Sequence, residues 1–296
     1  MVIIKSEQIK MVDLFHLPNK VTLNNMLEKN MKNRIVCWFS CGAASAVATK
    51  MMIAKSNDNQ ELVIAYCEVE EEHPDNKRFL KECEIWFGQK IIILRNEYYK
   101  GSIYNVFESN YMRTPAGSPC TRALKKQVRQ KFQKIDDVHV FGYTAEEENR
   151  LNNFIDANNE IDVYSPLIDR CISKENCLSM IENAGIELPT MYKQGYPHNN
   201  CVGCVKGGMG YWNKIRVDYP ETFNRMAKLE RRKGYTVLKE PKTGKPLFLD
   251  DLDPNRGRMS EEPNIECGIF CHAEEQIYNA VRLIKERMGR YTIAAL

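Results

Sequence analysis

The sequence predicts a doubly wound α/β protein with a mainly parallel sheet, and three observations carry that expectation. From residue 34 onward, short apolar runs of strand length alternate with longer stretches of helical periodicity. Strands alternating with helices require right-handed crossovers, which cover a parallel sheet on both faces. The chain has 296 residues, of which 43% are hydrophobic, enough to build a large core. Residues 1–33 form a polar, partly helical lead-in. After it, RIVCWF (34–39), ELVIAYCEV (61–69), KIIIL (90–94) and DVHVFGY (137–143) read as buried strands. SAVATKMMIAKS (45–56), PDNKRFLKECEIWFG (74–88) and TRALKKQVRQKFQKI (121–135) read as the helices between them.

Beyond residue 165 the pattern turns to helix and loop. KENCLSMIENAG (174–185) and PETFNRMAKLERRKG (220–234) are helical, and the Gly-rich CVGCVKGGMGYW (201–212) lies between them. Residues 239–263 are rich in Pro, Gly and charge, and read as a surface loop or small hairpin leading into a last helix over 273–289. This divides the chain into a lead-in (1–33), an α/β domain (34–190) and a cysteine-rich C-terminal region (191–296). No internal repeat or low-complexity tract occurs.

Composition excludes little. The net charge of +3 does not make the whole chain an electrostatic trap for nucleic acid, although a local basic patch could act so. No apolar run reaches the length of a membrane helix and the first thirty residues carry no signal-peptide core, so a cytoplasmic protein without a membrane partner is expected. Eleven cysteines in a chain this long point to reduced thiols. Cys37, Cys67, Cys83, Cys171 and Cys177 sit in apolar patterns and are expected to be small core residues.

The segment after the first strand, Ser40-Cys41-Gly42-Ala43-Ala44-Ser45, is a small-residue loop opening a helix. Such a junction leaves backbone N–H groups unpaired at the positive end of the helix dipole, where phosphate or sulfate could sit. It lacks the Gly-Lys-Ser/Thr of a Walker A loop and the G-x-G-x-x-G of a dinucleotide fold. On these residues alone, a tight strand-to-helix turn is as good a reading.

The same six residues resemble the Ser-Gly-Gly-x-Asp-Ser pyrophosphate loop of the N-type ATP pyrophosphatase, or adenine nucleotide alpha hydrolase, superfamily. Ala44 stands where ATP-cleaving members have an Asp that helps hold magnesium pyrophosphate. The branch that often lacks it is that of the PAPS and APS reductases. Pro166, Leu167, Pro189, Tyr192, Gly195, Tyr196, Pro197, Cys201 and Cys204 follow the reductase order. GYTAEEENR (142–150) resembles a nucleotide-contacting turn through Gly142 and Arg150, with Thr144 and Glu148 as departures. IECGIFCH (265–272) resembles the Glu-Cys-Gly-Ile/Leu-His tail that bears the reductase nucleophile, with Phe270 and Cys271 intervening before His272. The resemblance spans residues 34–272 and implies an adenine nucleotide alpha hydrolase-like fold, often dimeric.

Cys201-Val-Gly-Cys204 puts two thiols on one tight turn, able to grip one metal ion or one face of a cluster. Cys120 opens a predicted helix, where the dipole favours a thiolate. The resemblance implies a [4Fe-4S] cluster, although residue 119 is proline where APS reductases have a second Cys. Cys271 is the candidate fourth ligand; an open iron, or zinc on the same soft donors, is the alternative. The resemblance also makes Cys267 the nucleophile, with His272 lowering its pKa or orienting it. Cys267 as a further metal ligand is the other reading.

Arg122, Lys125, Lys126 and Arg129 fall at i, i+3, i+4 and i+7 on one helix face. Arg122 and Lys125, beside Cys120, are the candidates for a phosphosulfate, and Lys126 and Arg129 are expected on a solvated surface. Arg231, Arg232 and Lys233 form a second basic cluster that could meet a phosphate or an RNA backbone, or complement a helix C-terminus. The acidic run Glu68 to His73 reads as a solvated loop. Three functions stay open: a sulfonucleotide reductase using a thioredoxin-like reductant in trans, an ATP-dependent sulfur transferase acting on nucleic acid, and a non-catalytic nucleotide-binding protein.

Overall fold

The computed structural model describes residues 34–113, 117–158 and 160–262. Five parallel strands make one sheet: β1 (Arg34–Phe39), β2 (Glu61–Cys67), β3 (Ile91–Leu94), β4 (Val138–Val140) and β5 (Asp162–Tyr164), in the order β3-β2-β1-β4-β5. The expected doubly wound α/β architecture is therefore present. β1 is buried along its whole length, as a central strand covered on both faces must be. Its register sets Phe39 beside Tyr66 and Cys37 beside Val140, so all neighbouring strands end near the C-terminal end of β1.

Alternation along β1 feeds two cores. Ile35, Cys37 and Phe39 pack with Val47 and Met51 of α1 (Ala43–Lys55), Phe79 and Cys83 of α2 (Asn76–Phe87), and further on with Cys177 and Ile181. Val36 and Trp38 face the other side. There they meet Val128, Leu151 and Phe154. Chain order then brings α3 (Ile103–Ser109), α4 (Pro119–Thr121), a π-turn (Arg122–Lys126), α5 (Gln127–Phe132), α6 (Glu148–Ala157), α7 (Pro166–Asp169), α8 (Lys174–Asn183) and α9 (Thr190–Lys193). A third core joins Ile103 and Phe107 of α3 and Leu124 to α10 (Met209–Asp218) and α11 (Pro220–Lys233), with Trp212 fully buried at its centre. The expected small hairpin is present as a short antiparallel pair, β6 (Leu238–Lys239) with β7 (Pro246–Leu247). No described helix is long and apolar enough to cross a membrane.

Three expectations change. Cys171 is exposed, at φ 51°, not a core residue, whereas Cys37, Cys67, Cys83 and Cys177 are buried. Arg129 is buried, not solvated, because the π-turn inserts a residue and rotates every later side chain about the axis. The acidic run is not a solvated loop. Glu71 accepts from Ser102 Oγ at 2.5 Å and from the Ile103 N–H at 2.8 Å, holding the first turn of α3, and Glu72 is buried.

Candidate functional site

β1 and β4 are neighbours whose chains continue to opposite sides of the sheet, so their C-terminal ends diverge and leave a crevice, the usual ligand position in such folds. A cleft of about 370 Å³ lies there. Ser40, Gly42, Ala43, Ala44 and Ser45 form one wall, and Phe141, Gly142, Tyr143 and Thr144 form another. Lys125, Arg150, Lys174, Tyr192, His198 and Asn199 also line it.

The loop is braced from within. The Ser45 hydroxyl donates to Gly42 O at 2.9 Å and accepts from both the Ser40 N–H and Ser40 Oγ at 3.0 Å. Ser45 therefore spends its side chain on loop shape. The first helical hydrogen bond runs from Ala46 N–H to Gly42 O. Among the described residues the Gly42, Ala44 and Ser45 N–H groups have no acceptor, while that of Ala43 lies near the Tyr192 hydroxyl. Burial pushes Tyr192 up to about 12, so this hydroxyl stays neutral.

Cys41 contributes only backbone. It is fully buried in the left-handed region at φ 55°, its Sγ turned to the carbonyl of Asn76, and burial raises its thiol well above the ordinary range. Gly142 lines the cleft by pressing on the loop. A Cβ there would lie 2.6 Å from Ser45 N and 2.7 Å from the Ala44 carbonyl carbon, so only glycine lets β4 approach this closely.

Of the basic candidates, Lys125 reaches the cleft and Arg122 does not: Arg122 is exposed on the π-turn. Lys125 is 6% exposed and pairs with Glu72 at 3.5 Å. Glu72 also accepts from Tyr66 Oη at 2.5 Å and Asn76 Nδ2 at 3.0 Å. Arg150 pairs with Glu147 at 2.6 Å and lies over the Tyr143 ring. Lys174 donates to Pro197 O, and burial lowers its pKa. Glu146, Glu147 and Glu175 share this rim, so positive potential is concentrated at the loop and Lys125 rather than spread over the mouth. The Arg231–Lys233 cluster lies elsewhere and is engaged in structure: Arg231 pairs with Asp250 and Asp251, Arg232 pairs with Glu108, and Lys233 donates to the Glu108 carbonyl.

Cys201 and Cys204 are buried on a turn made possible by Gly203 at φ 80°. Tyr211 pins it, its hydroxyl accepting from the N–H groups of Gly203 (3.0 Å) and Cys204 (2.9 Å) and donating to Cys201 O (3.2 Å). Cys120 packs against the same core. Two buried hydroxyls of this region, Tyr104 Oη and Ser118 Oγ, have no partner among the described residues and are donors of the kind sulfur ligands accept from. Yet among the described residues no group of three or more His, Cys, Asp or Glu side chains is arranged to hold a metal ion. The described residues alone therefore do not fit a closed cluster or zinc site. Cys267, Cys271 and His272 lie outside the described residues.

Sequence reasoning missed Glu72, Asn76 and Asn199. Asn199 stands two residues before the Cys-x-x-Cys turn and donates through Nδ2 to Cys41 O (2.6 Å) and Asn76 Oδ1 (2.7 Å). Flanked by His198 and Asn200, it stands in a polar stretch that carries no pattern to mark it.

Fold and cleft together define an α/β protein with a ligand-sized crevice at the switch point of its sheet. No protein-family model matches the chain, and no curated protein matches it in sequence. Among solved structures it is similar to a phosphoadenylyl-sulfate (PAPS) reductase from Candida auris in a phosphate complex, at 12% identity and a TM-score of 0.43, over 60% of this chain and 86% of that one. It is also similar to the U34-tRNA thiolase NcsA from Methanococcus maripaludis with its [4Fe-4S] cluster, at 14% identity and a TM-score of 0.39, over 70% of this chain and 72% of that one. The reading of the site stands on its own residues.

Proposed function

We propose that this chain is an enzyme that binds an adenine nucleotide in the switch-point cleft and acts on it as a sulfonucleotide reductase does. One observation carries the reading: Gly42, Ala44 and Ser45, whose N–H groups have no acceptor among the described residues, and the buried Lys125 line one cleft of about 370 Å³, large enough for a nucleotide. The loop lacks a carboxylate, because Ala44 occupies the position at which a metal-binding Asp would stand, which suits a nucleotide held without magnesium pyrophosphate.

In this chemistry the Cys267 thiolate attacks the sulfur of the phosphosulfate. A sulfur–sulfur bond forms, the bond from sulfur to the bridging oxygen breaks, and AMP or its 3'-phosphorylated form leaves with the electron pair. A dithiol of the thioredoxin kind, acting in trans, then displaces sulfite and is itself oxidised to a disulfide. The loop's task is to hold the phosphate so that charge developing on the leaving oxygen meets backbone N–H groups. Cys120, Cys201 and Cys204, with Cys271, are the thiols offered to an iron–sulfur cluster or zinc. The packing of Cys120, Cys201 and Cys204 in or against one core supports a second reading, ATP-dependent sulfur transfer to a nucleic acid.

Calorimetry of the full chain with PAPS, APS and ATP, each with and without magnesium, separates the readings. Magnesium-independent binding of PAPS or APS is expected. Magnesium-dependent ATP binding with AMP release would overturn the reductase reading in favour of the second. Cys267→Ser should abolish sulfite release while metal content is unchanged; loss of metal would make Cys267 a ligand instead.

A further inference from the structure

Resting on the nucleotide reading, we infer that Asn199 is a positioning residue that sets the anion affinity of the Ser40–Ser45 loop by fixing the Cys41–Gly42 peptide. In a trans peptide the carbonyl oxygen and the following N–H point in opposite directions. Asn199 Nδ2 holds Cys41 O at 2.6 Å, on the protein side of the loop, and so turns the Gly42 N–H away from it. The loop backbone is costly here as well: Cys41 sits at φ 55°, a region that a non-glycine residue occupies at a cost. Without the amide on its carbonyl, the Cys41–Gly42 peptide is free to rotate and to present an oxygen, rather than an N–H, to an incoming phosphate.

Asn199 is built for this task. It is 6% exposed, and its amide is oriented by Asn76 Oδ1 at 2.7 Å, itself at the start of α2 and tied to Glu72. The Tyr192 hydroxyl stands beside the same loop, 3.2 Å from where a Cβ on Gly42 would lie, with the Asn199 and Ala43 main chains near it. Asn199 thus holds the loop at Cys41 O. Because Asn199 leads directly into Cys201, the same contact ties the anion loop to the thiol turn.

The test compares two probes on the full chain, AMP and adenosine, in calorimetric titrations of wild type, Asn199→Ala and Asn76→Ala. Asn199→Ala should weaken AMP about tenfold, the scale of one lost charge-assisted hydrogen bond, while adenosine binding stays within about twofold. Asn76→Ala, which leaves the donor but removes its orienting acceptor, should move AMP in the same direction by less. It also carries the test if Asn199→Ala does not fold. A variant that weakens both probes alike has only a structural role, and unchanged AMP affinity in both variants overturns the inference while leaving the nucleotide reading intact. Wild-type protein that binds neither probe overturns the nucleotide reading itself.

Discussion

At the scale of single residues, the site depends on side chains that are missing or hidden. Gly142 is the clearest case, since any Cβ meets loop backbone that cannot move aside. Gly142→Ala is expected to cost about 1–3 kcal/mol by overpacking and to abolish nucleotide binding; a variant of wild-type stability that still binds would refute the close approach. Lys125 and Glu72 form a buried pair whose members have 7% and 4% of their side chains exposed. Removing Lys125 alone leaves a buried acid without its cation and should lower stability by about 3 kcal/mol, whereas Lys125→Met with Glu72→Gln should regain most of it. Only affinity for the phosphate should stay lost in the double variant. Chemical denaturation and AMP titration separate the two effects, and a double variant that binds AMP normally would remove Lys125 from the site.

At the scale of elements, the thiol turn and the end of α11 are each held by one buried polar group. Tyr211→Phe strips the acceptor from two buried N–H groups and the donor from Cys201 O, so a loss of about 2–4 kcal/mol is expected in thermal or urea unfolding. Glu230, fully buried, accepts from the Val237 N–H at 2.6 Å and the Leu249 N–H at 2.7 Å, joining α11 to β6 and the segment after β7. Burial pushes this acid up to about 7, against an ordinary value of 4.5. Between those values the folded state binds more protons than the unfolded one, so the contribution of Glu230 to stability falls as pH rises from about 4.5 to about 7. Glu230→Gln should flatten that part of the stability curve; parallel curves for the two proteins would show that Glu230 does not titrate there. Elements also mark where sequence reading stops. β1, β2 and α8 were legible because continuous apolar runs or a clear period filled them, whereas β5 has three residues, too few to show a period. The π-turn at Arg122–Lys126 was invisible, and the rotation it introduces sets the buried Arg129 apart from the exposed Arg122.

At the scale of the whole molecule, the fold was legible and the site only partly so. Alternating strands and helices fixed a parallel sheet, and the small residues after β1 pointed to its switch point. The partners of that loop come from residues 72, 76, 125, 142, 192 and 199, brought together only by folding, and no local pattern announces such pairings. Glu71 and Glu72 looked solvated because a run of carboxylates usually is, yet one secures α3 and the other anchors Lys125. What unites these observations is a cleft whose floor is backbone N–H and whose surroundings keep that backbone in place. The most direct measurement is a crystal structure of the full chain grown with AMP. The account expects the 5'-phosphate within hydrogen-bond distance of the Gly42 and Ala44 N–H groups, with Lys125 beside it. A phosphate bound elsewhere, with the Ser40–Ser45 loop facing only solvent, would contradict it.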